Sequence, residues 1–146
     1  MAQDIVDEPL ASLAPLLGTW VLGSDTAGLV TYRVLNGGYF LVQEFDISLF
    51  GQSIQGLELI GRLKPFGAEA GPELRSRVYD NAGNTLDYVY ELVGDELTIW
   101  GGEKGSTSYF KGRFSADGTT NAGQWVYPGG GYRSTMTRVA SEGGLS

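Results

Sequence analysis

The chain predicts an all-β fold: an antiparallel up-and-down β-barrel of about ten strands with a short N-terminal helix. Three observations support this. Short runs rich in Val, Ile, Leu and Tyr alternate apolar and polar residues at period two. Clusters of Gly, Asn, Asp and Pro separate those runs. Helical spacing is confined to residues 8–17, so no segment can serve as a crossover helix between parallel strands.

The helix comes first along the chain. Pro9 suits a first-turn position, Leu10, Leu13, Leu16 and Leu17 share one face, and Pro15 keeps the segment short. In "PLLGTW", Pro15 to Trp20, Gly18 lets the chain leave the helix and Trp20 opens the first strand. Strands are expected at 19–24, 28–35, 39–48, 53–63, 72–79, 85–93, 96–100, 106–115, 119–127 and 131–139. The turns between them are Asn36-Gly37-Gly38, Phe50-Gly51-Gln52, Lys64 through Gly71, Asp80 to Asn84, Gly94-Asp95, Gly101 to Gly105, Ala116-Asp117-Gly118 and Pro128 to Gly131. The last of these is expected as a wide turn at the barrel rim. Residues 1–146 form one domain with an ordered core over about 8–139 and frayed ends at 1–7 and 140–146.

Ten strands in an open sheet would leave two raw edges, and closure into a barrel removes them. The helix would then plug one end, with Leu13, Leu16 and Leu17 over the opening and Trp20 entering the base. Arg138 lies on the last strand, where it should meet the first.

Alternation also assigns the inner face. A two-residue Asn36-Gly37 turn pairs Leu35 with Gly38 and gathers Val30, Tyr32, Val34, Tyr39, Leu41, Gln43, Phe45 and Ile47 on one mostly apolar side. Leu86, Tyr88, Tyr90 and Leu92 share another inner stripe, and Tyr132, Ser134 and Met136 share the face of Arg138. In segment 53–63, Leu57 and Leu59 alternate with Glu58, Ile60 and Arg62; the two leucines are the expected inner set. Trp100 and Trp125 complete the interior.

Composition removes several function classes. The chain has no cysteine and no histidine, which excludes disulfides, thiolate chemistry, the usual zinc and haem ligands and every imidazole base. Hydrolase triads go with them, leaving acid–base chemistry by Glu, Asp or Tyr. Glu44 and Glu58 lie nearest the barrel centre, and both are expected as surface charges. A net charge of −7, with scattered basic residues, argues against a nucleic-acid partner. No run is long enough to span a membrane, and Asp4, Asp7 and Glu8 make the start unlike a signal peptide, so a cytoplasmic location is expected.

Two local motifs fail on inspection. Asp80 to Glu91 has the length of a calcium loop, but Ala82 and Thr85 occupy places that need a ligand and a glycine. Pro128 to Gly131 lacks the following helix and lysine of a phosphate loop.

Gly18-x-Trp20 after a short helix, with Arg138 on the last strand, resembles the lipocalin and calycin closure, in which an arginine stacks on that tryptophan. The stretches "LNGGYFLVQEFD", "IGRLKPFG", "YDNAGNTLDYVYEL", "LTIWGGEKGS" and "WVYPGGGYRSTMTRV" are similar to a family of small, mostly actinobacterial proteins known only as a domain of unknown function. The similarity runs from Leu13 to Val139. It implies a calycin-type barrel and a structural role for Trp20 and Arg138, and no particular activity.

A small barrel with such an interior suits one small ligand, largely apolar or aromatic, with no metal and no cofactor. The expected lining is Tyr32, Gln43, Phe45, Tyr88, Tyr90, Trp100, Trp125 and Met136. One alternative is an enzyme that uses the cavity to orient a substrate for cyclisation or isomerisation. A second is an interaction module with a packed interior. No nucleic-acid or membrane partner is expected, and the oligomeric state is left open.

Overall fold

The computed structural model describes residues 4–139. Its strands are β1 (Gly18–Ser24), β2 (Thr26–Val34), β3 (Phe40–Leu49), β4 (Gln52–Gly61), β5 (Leu74–Asp80), β6 (Thr85–Val93), β7 (Glu96–Gly101), β8 (Tyr109–Phe114), β9 (Thr120–Tyr127) and β10 (Gly130–Arg138). Each pairs antiparallel with its neighbours in sequence, and β10 returns to pair with β1, closing the barrel. No raw edge remains, as the period-two alternation and short turns require. No helix among the described residues is long and apolar enough to cross a membrane.

The expected helix over 8–17 is broken into α1 (Glu8–Ala11) and a 3-10 turn, Ala14–Leu16. Pro15 has no N–H to continue an α-helix, so the chain tightens instead. Leu10, Leu13 and Leu16 are fully buried and plug the end of the barrel where β1 begins. Trp20 is fully buried beneath them, and its Nε1 donates to the Leu16 carbonyl at 2.8 Å.

Trp20 stands opposite Arg138 across the β1–β10 seam, and the guanidinium lies 4.2 Å from the centre of the indole ring. The same guanidinium donates to the carbonyls of Pro15 at 2.9 Å, Leu17, and Gly118 at 3.3 Å. It therefore stacks on the tryptophan and also caps the carbonyls left open where the 3-10 turn ends. Gly18 makes this possible: its φ is +118°, and a Cβ there would come within 2.6 Å of Arg138 Nη1.

Several expectations are corrected. The β2–β3 turn is wider than a two-residue loop, because Leu35 N–H donates to the Phe40 carbonyl and the ladder pairs Val34 with Leu41. The displacement is two residues, which keeps every side chain on its expected face but leaves Tyr39 in the loop, 54% exposed. The turn opens because the Gly38 carbonyl receives the N–H groups of Val6 and Asp7. Residues 4–7 are therefore docked rather than frayed, and the Asp7 carboxylate takes two hydrogen bonds from Arg62, at 2.6 and 3.1 Å. The ends at 1–3 and 140–146 lie outside the described residues. The expected wide turn at Pro128 to Gly131 is a tight one, with Tyr127 paired to Gly130.

The largest correction falls on β4. Glu58 and Ile60 point inward, whereas Leu57 and Leu59 face outward, 37% and 38% exposed. The two-residue turn Phe50-Gly51 pairs Leu49 with Gln52 and hence Gln43 with Glu58. Residues directly opposite in an antiparallel ladder share a face, so the inward Gln43 brings Glu58 in with it. Leu59 joins Leu35, Phe40, Leu63 and Tyr79 along a groove of about 410 Å³ on the outer wall.

Candidate functional site

Above the plug, the barrel encloses a cavity of about 300 Å³ that reaches the opposite end. The geometry follows from the meander. Turns joining β1 to β2, β3 to β4, β5 to β6, β7 to β8 and β9 to β10 gather at the far end from the helix, and Leu49, Ile54, Asp80, Leu86 and Tyr132 line the mouth there. Phe50, at the tip of the β3–β4 turn, packs edge-on against Tyr132 with centroids 5.4 Å apart.

Of the lining residues expected from the sequence, Tyr32, Gln43, Phe45, Tyr88, Tyr90, Trp125 and Met136 surround this one cavity. Trp100 does not. It pairs with Val89 and Tyr109 on the alternate face of β7, and Lys104 Nζ sits 5.7 Å from its ring centre on the outside of the barrel. Its neighbours Leu97 and Ile99 take the inner positions. Inside, Trp125 packs against Tyr88 with centroids 5.8 Å apart and against Phe110 at 5.5 Å.

The polar part of the cavity wall holds two hydrogen-bonded pairs. Gln43 Nε2 donates to the Tyr32 hydroxyl at 2.6 Å, and the Tyr90 hydroxyl donates to Glu58 Oε1 at 2.9 Å. Tyr32 and Tyr90 lie close enough to influence one another electrostatically. Glu58 is only 3% exposed, and its Oε2 has no hydrogen-bond partner among the described residues. The Ser76 hydroxyl on β5 lies near that carboxylate without reaching hydrogen-bond geometry. On the opposite wall, Asn121 of β9 is 0% exposed, and neither its amide oxygen nor its nitrogen is partnered. Buried polar atoms left this way are uncommon and need a physical explanation.

Burial sets the electrostatics. Loss of hydration pushes the Glu58 carboxyl up to about 7, a rise only partly opposed by the Ser76 and Tyr90 hydroxyls. Burial and the neighbouring Glu58 charge push Tyr88 up to about 12 and raise Tyr32 and Tyr90 further still. All three phenols therefore remain protonated at neutral pH. Asp80 at the mouth is held below the ordinary carboxylate range, first by the Asn84 side chain and then by backbone N–H groups of its own turn. That carboxylate closes a hairpin, accepting from Ala82 N, Asn84 N and Asn84 Nδ2 at 2.9 to 3.0 Å. Glu91, the far end of the supposed calcium loop, pairs with Lys104 instead. Among the described residues no group of three or more carboxylates is placed to hold a metal ion.

The arrangement offers a hydrophobic chamber, one carboxyl able to exchange a proton near neutrality, and aromatic walls. The sequence-based reading missed Glu58 and Asn121. The hairpin register at Phe50-Gly51 was the signal for Glu58; nothing local marks Asn121. No protein-family model and no curated protein matches the chain.

Proposed function

We propose that the protein binds a small, largely apolar or aromatic organic molecule inside a calycin-like barrel in the cytoplasm. The observation that carries this reading is the cavity itself: about 300 Å³, walled by rings and aliphatic side chains, with a few buried polar atoms turned into it. That volume sits at the small end of ordinary ligand sites, which run from roughly 300 to 1,000 Å³. The Trp20–Arg138 closure and the leucine plug support it by sealing the other end of the barrel. An interaction module with a solid interior would have no use for such a chamber.

Glu58 favours one second reading, an enzyme that isomerises or cyclises its ligand. A carboxyl that titrates near 7 beside a protonated tyrosine can accept a proton at one carbon and return it at another. Native mass spectrometry of freshly purified protein separates these ideas. Binding predicts either a retained small molecule or uptake of one from a panel of hydrophobic probes, with its mass unchanged over hours. A retained molecule that changes structure or mass with time favours the enzyme. A barrel that takes up no probe contradicts both.

A further inference from the structure

We infer that the molecule held in this cavity carries a protonated amine on an apolar body, and that the amine docks on the free oxygen of Glu58. The inference rests on the binding function proposed above and names the chemical class of its ligand.

Charge inside the barrel is of one sign. Among the described residues, the cavity lining contains two carboxyls, Glu58 deep in the wall and Asp80 at the mouth, and no lysine or arginine. A carboxylate or phosphate ligand would find no counter-charge in this wall and would meet repulsion from Glu58 where screening by water is weakest. A cation meets the opposite conditions. It passes Asp80 at the mouth and reaches a carboxylate whose Oε2 has no protein partner.

Hydrogen-bond capacity leads to the same class. Tyr90 occupies only Oε1, so Glu58 keeps one oxygen that an N–H donor can fill. A buried carboxylate with half its acceptors unused is unfavourable until a donor arrives. Aromatic rings complete the setting. Tyr88 and Trp125 pack together in the lining, and Tyr32 and Tyr90 lie beside Glu58, so the amine would dock among aromatic side chains.

The groups facing Glu58 are Tyr88 and Tyr90 from β6, Ser76 from β5, Tyr32 from β2 and Gln43 from β3. None of these titrates between pH 5 and 8, because the tyrosines are shifted upward. Amine binding should therefore follow the ionisation of Glu58 alone, strengthening as pH rises through about 7.

Three probes sharing one apolar body test the inference: naphthylethylamine, naphthylethanol and naphthylacetate, titrated by calorimetry into the full chain. The amine should bind about ten- to a hundredfold more tightly than the alcohol at about pH 8, with the carboxylate weakest. Glu58→Gln, which keeps the shape and an acceptor for Tyr90, should abolish the preference for the amine over the alcohol. In the wild type the preference should also collapse at about pH 5, a test that needs no variant. The inference fails if the carboxylate binds as well as the amine, or if the amine preference survives both Glu58→Gln and acid pH; cavity binding would stand in either case. If none of the three binds, the proposed binding function falls with it.

Discussion

Replacing Glu58 with Gln should flatten the dependence of stability on pH between about 5 and 8. In the unfolded chain this carboxyl ionises near its ordinary value of 4.5, whereas in the barrel burial raises it to about 7. An acid raised in this way holds its proton more tightly when folded. Its favourable contribution is therefore complete below the unfolded value and is lost as pH rises through the folded one. At about 1.4 kcal/mol per unit, the full loss is on the order of 3 kcal/mol, most of it falling between about pH 5 and 8.

Other groups leave that window clear. The chain has no histidine and no cysteine. Asp80, Asp87 and Asp117 are held low by hydrogen bonds to Asn84, Arg77 and Ser115 respectively, so their contributions are present above the usual carboxylate range and vanish only in acid. Urea melts of the ligand-free protein at about pH 5 and 8 should thus show the wild type weaker at the higher pH by roughly 2–3 kcal/mol. Glu58→Gln should show little difference. Equal slopes in the two proteins would mean that the Glu58 charge is well hydrated and that the account of the cavity wall is wrong.

Trp20→Ala should destabilise the fold by roughly 3–5 kcal/mol in denaturant melts, because a fully buried indole and its bond to Leu16 are lost together. Arg138→Ala should cost less, since its guanidinium is partly exposed and water can replace some of its three carbonyl contacts. Ile60→Ala should cost about 2–5 kcal/mol while Leu59→Ala costs under about 1.5, and the reverse order would overturn the assigned face of β4. Melting temperature should not respond to EDTA or to added calcium, since Asp80 closes a turn with its own neighbours. Tyr88→Phe should leave stability nearly unchanged and alter only the ranking of ligands in a binding panel.

Much of the fold was legible because glycine clusters and period-two alternation are local signals. The segments around Asp80-Asn81-Ala82-Gly83-Asn84 and Ala116-Asp117-Gly118 fold as their composition requires, with Asp80 and Asp117 accepting backbone N–H groups of their own turns. The inner face of β2 and β3 survived a wrong pairing because a slip of two residues preserves the side on which each residue lies. Segment 53–63 failed for the complementary reason. Both stripes of β4 carry large apolar residues, Leu57 and Leu59 on one and Ile54 and Ile60 on the other, so hydrophobicity could not choose between them. The decision belonged to the turn at Phe50-Gly51.

The same logic explains the candidate site. Tyr32, Gln43, Tyr88 and Tyr90 lie on strands with clear alternation, and their convergence follows from closure of the barrel. Trp100 was misplaced because an indole in a short apolar strand has no local mark of its side; the pairing of Tyr88 with Gly101 fixes it outward. The contact of Asp7 with Arg62 spans most of a barrel half in sequence and is invisible to any local pattern. Asn121 likewise gains meaning only from burial.

The three tryptophans supply a direct test of the central claim that the functional site is the barrel interior. Trp20 lies in the plug, Trp100 on the outer wall and Trp125 in the cavity. Their indole N–H signals can be followed together by nitrogen-15 NMR while naphthylethylamine is added. Binding inside the barrel predicts a saturable shift of the Trp125 signal, with Trp100 unmoved and Trp20 little affected beneath its leucines. A shift confined to Trp100, or saturable binding that leaves Trp125 unchanged, would place the ligand on the outside and contradict the account.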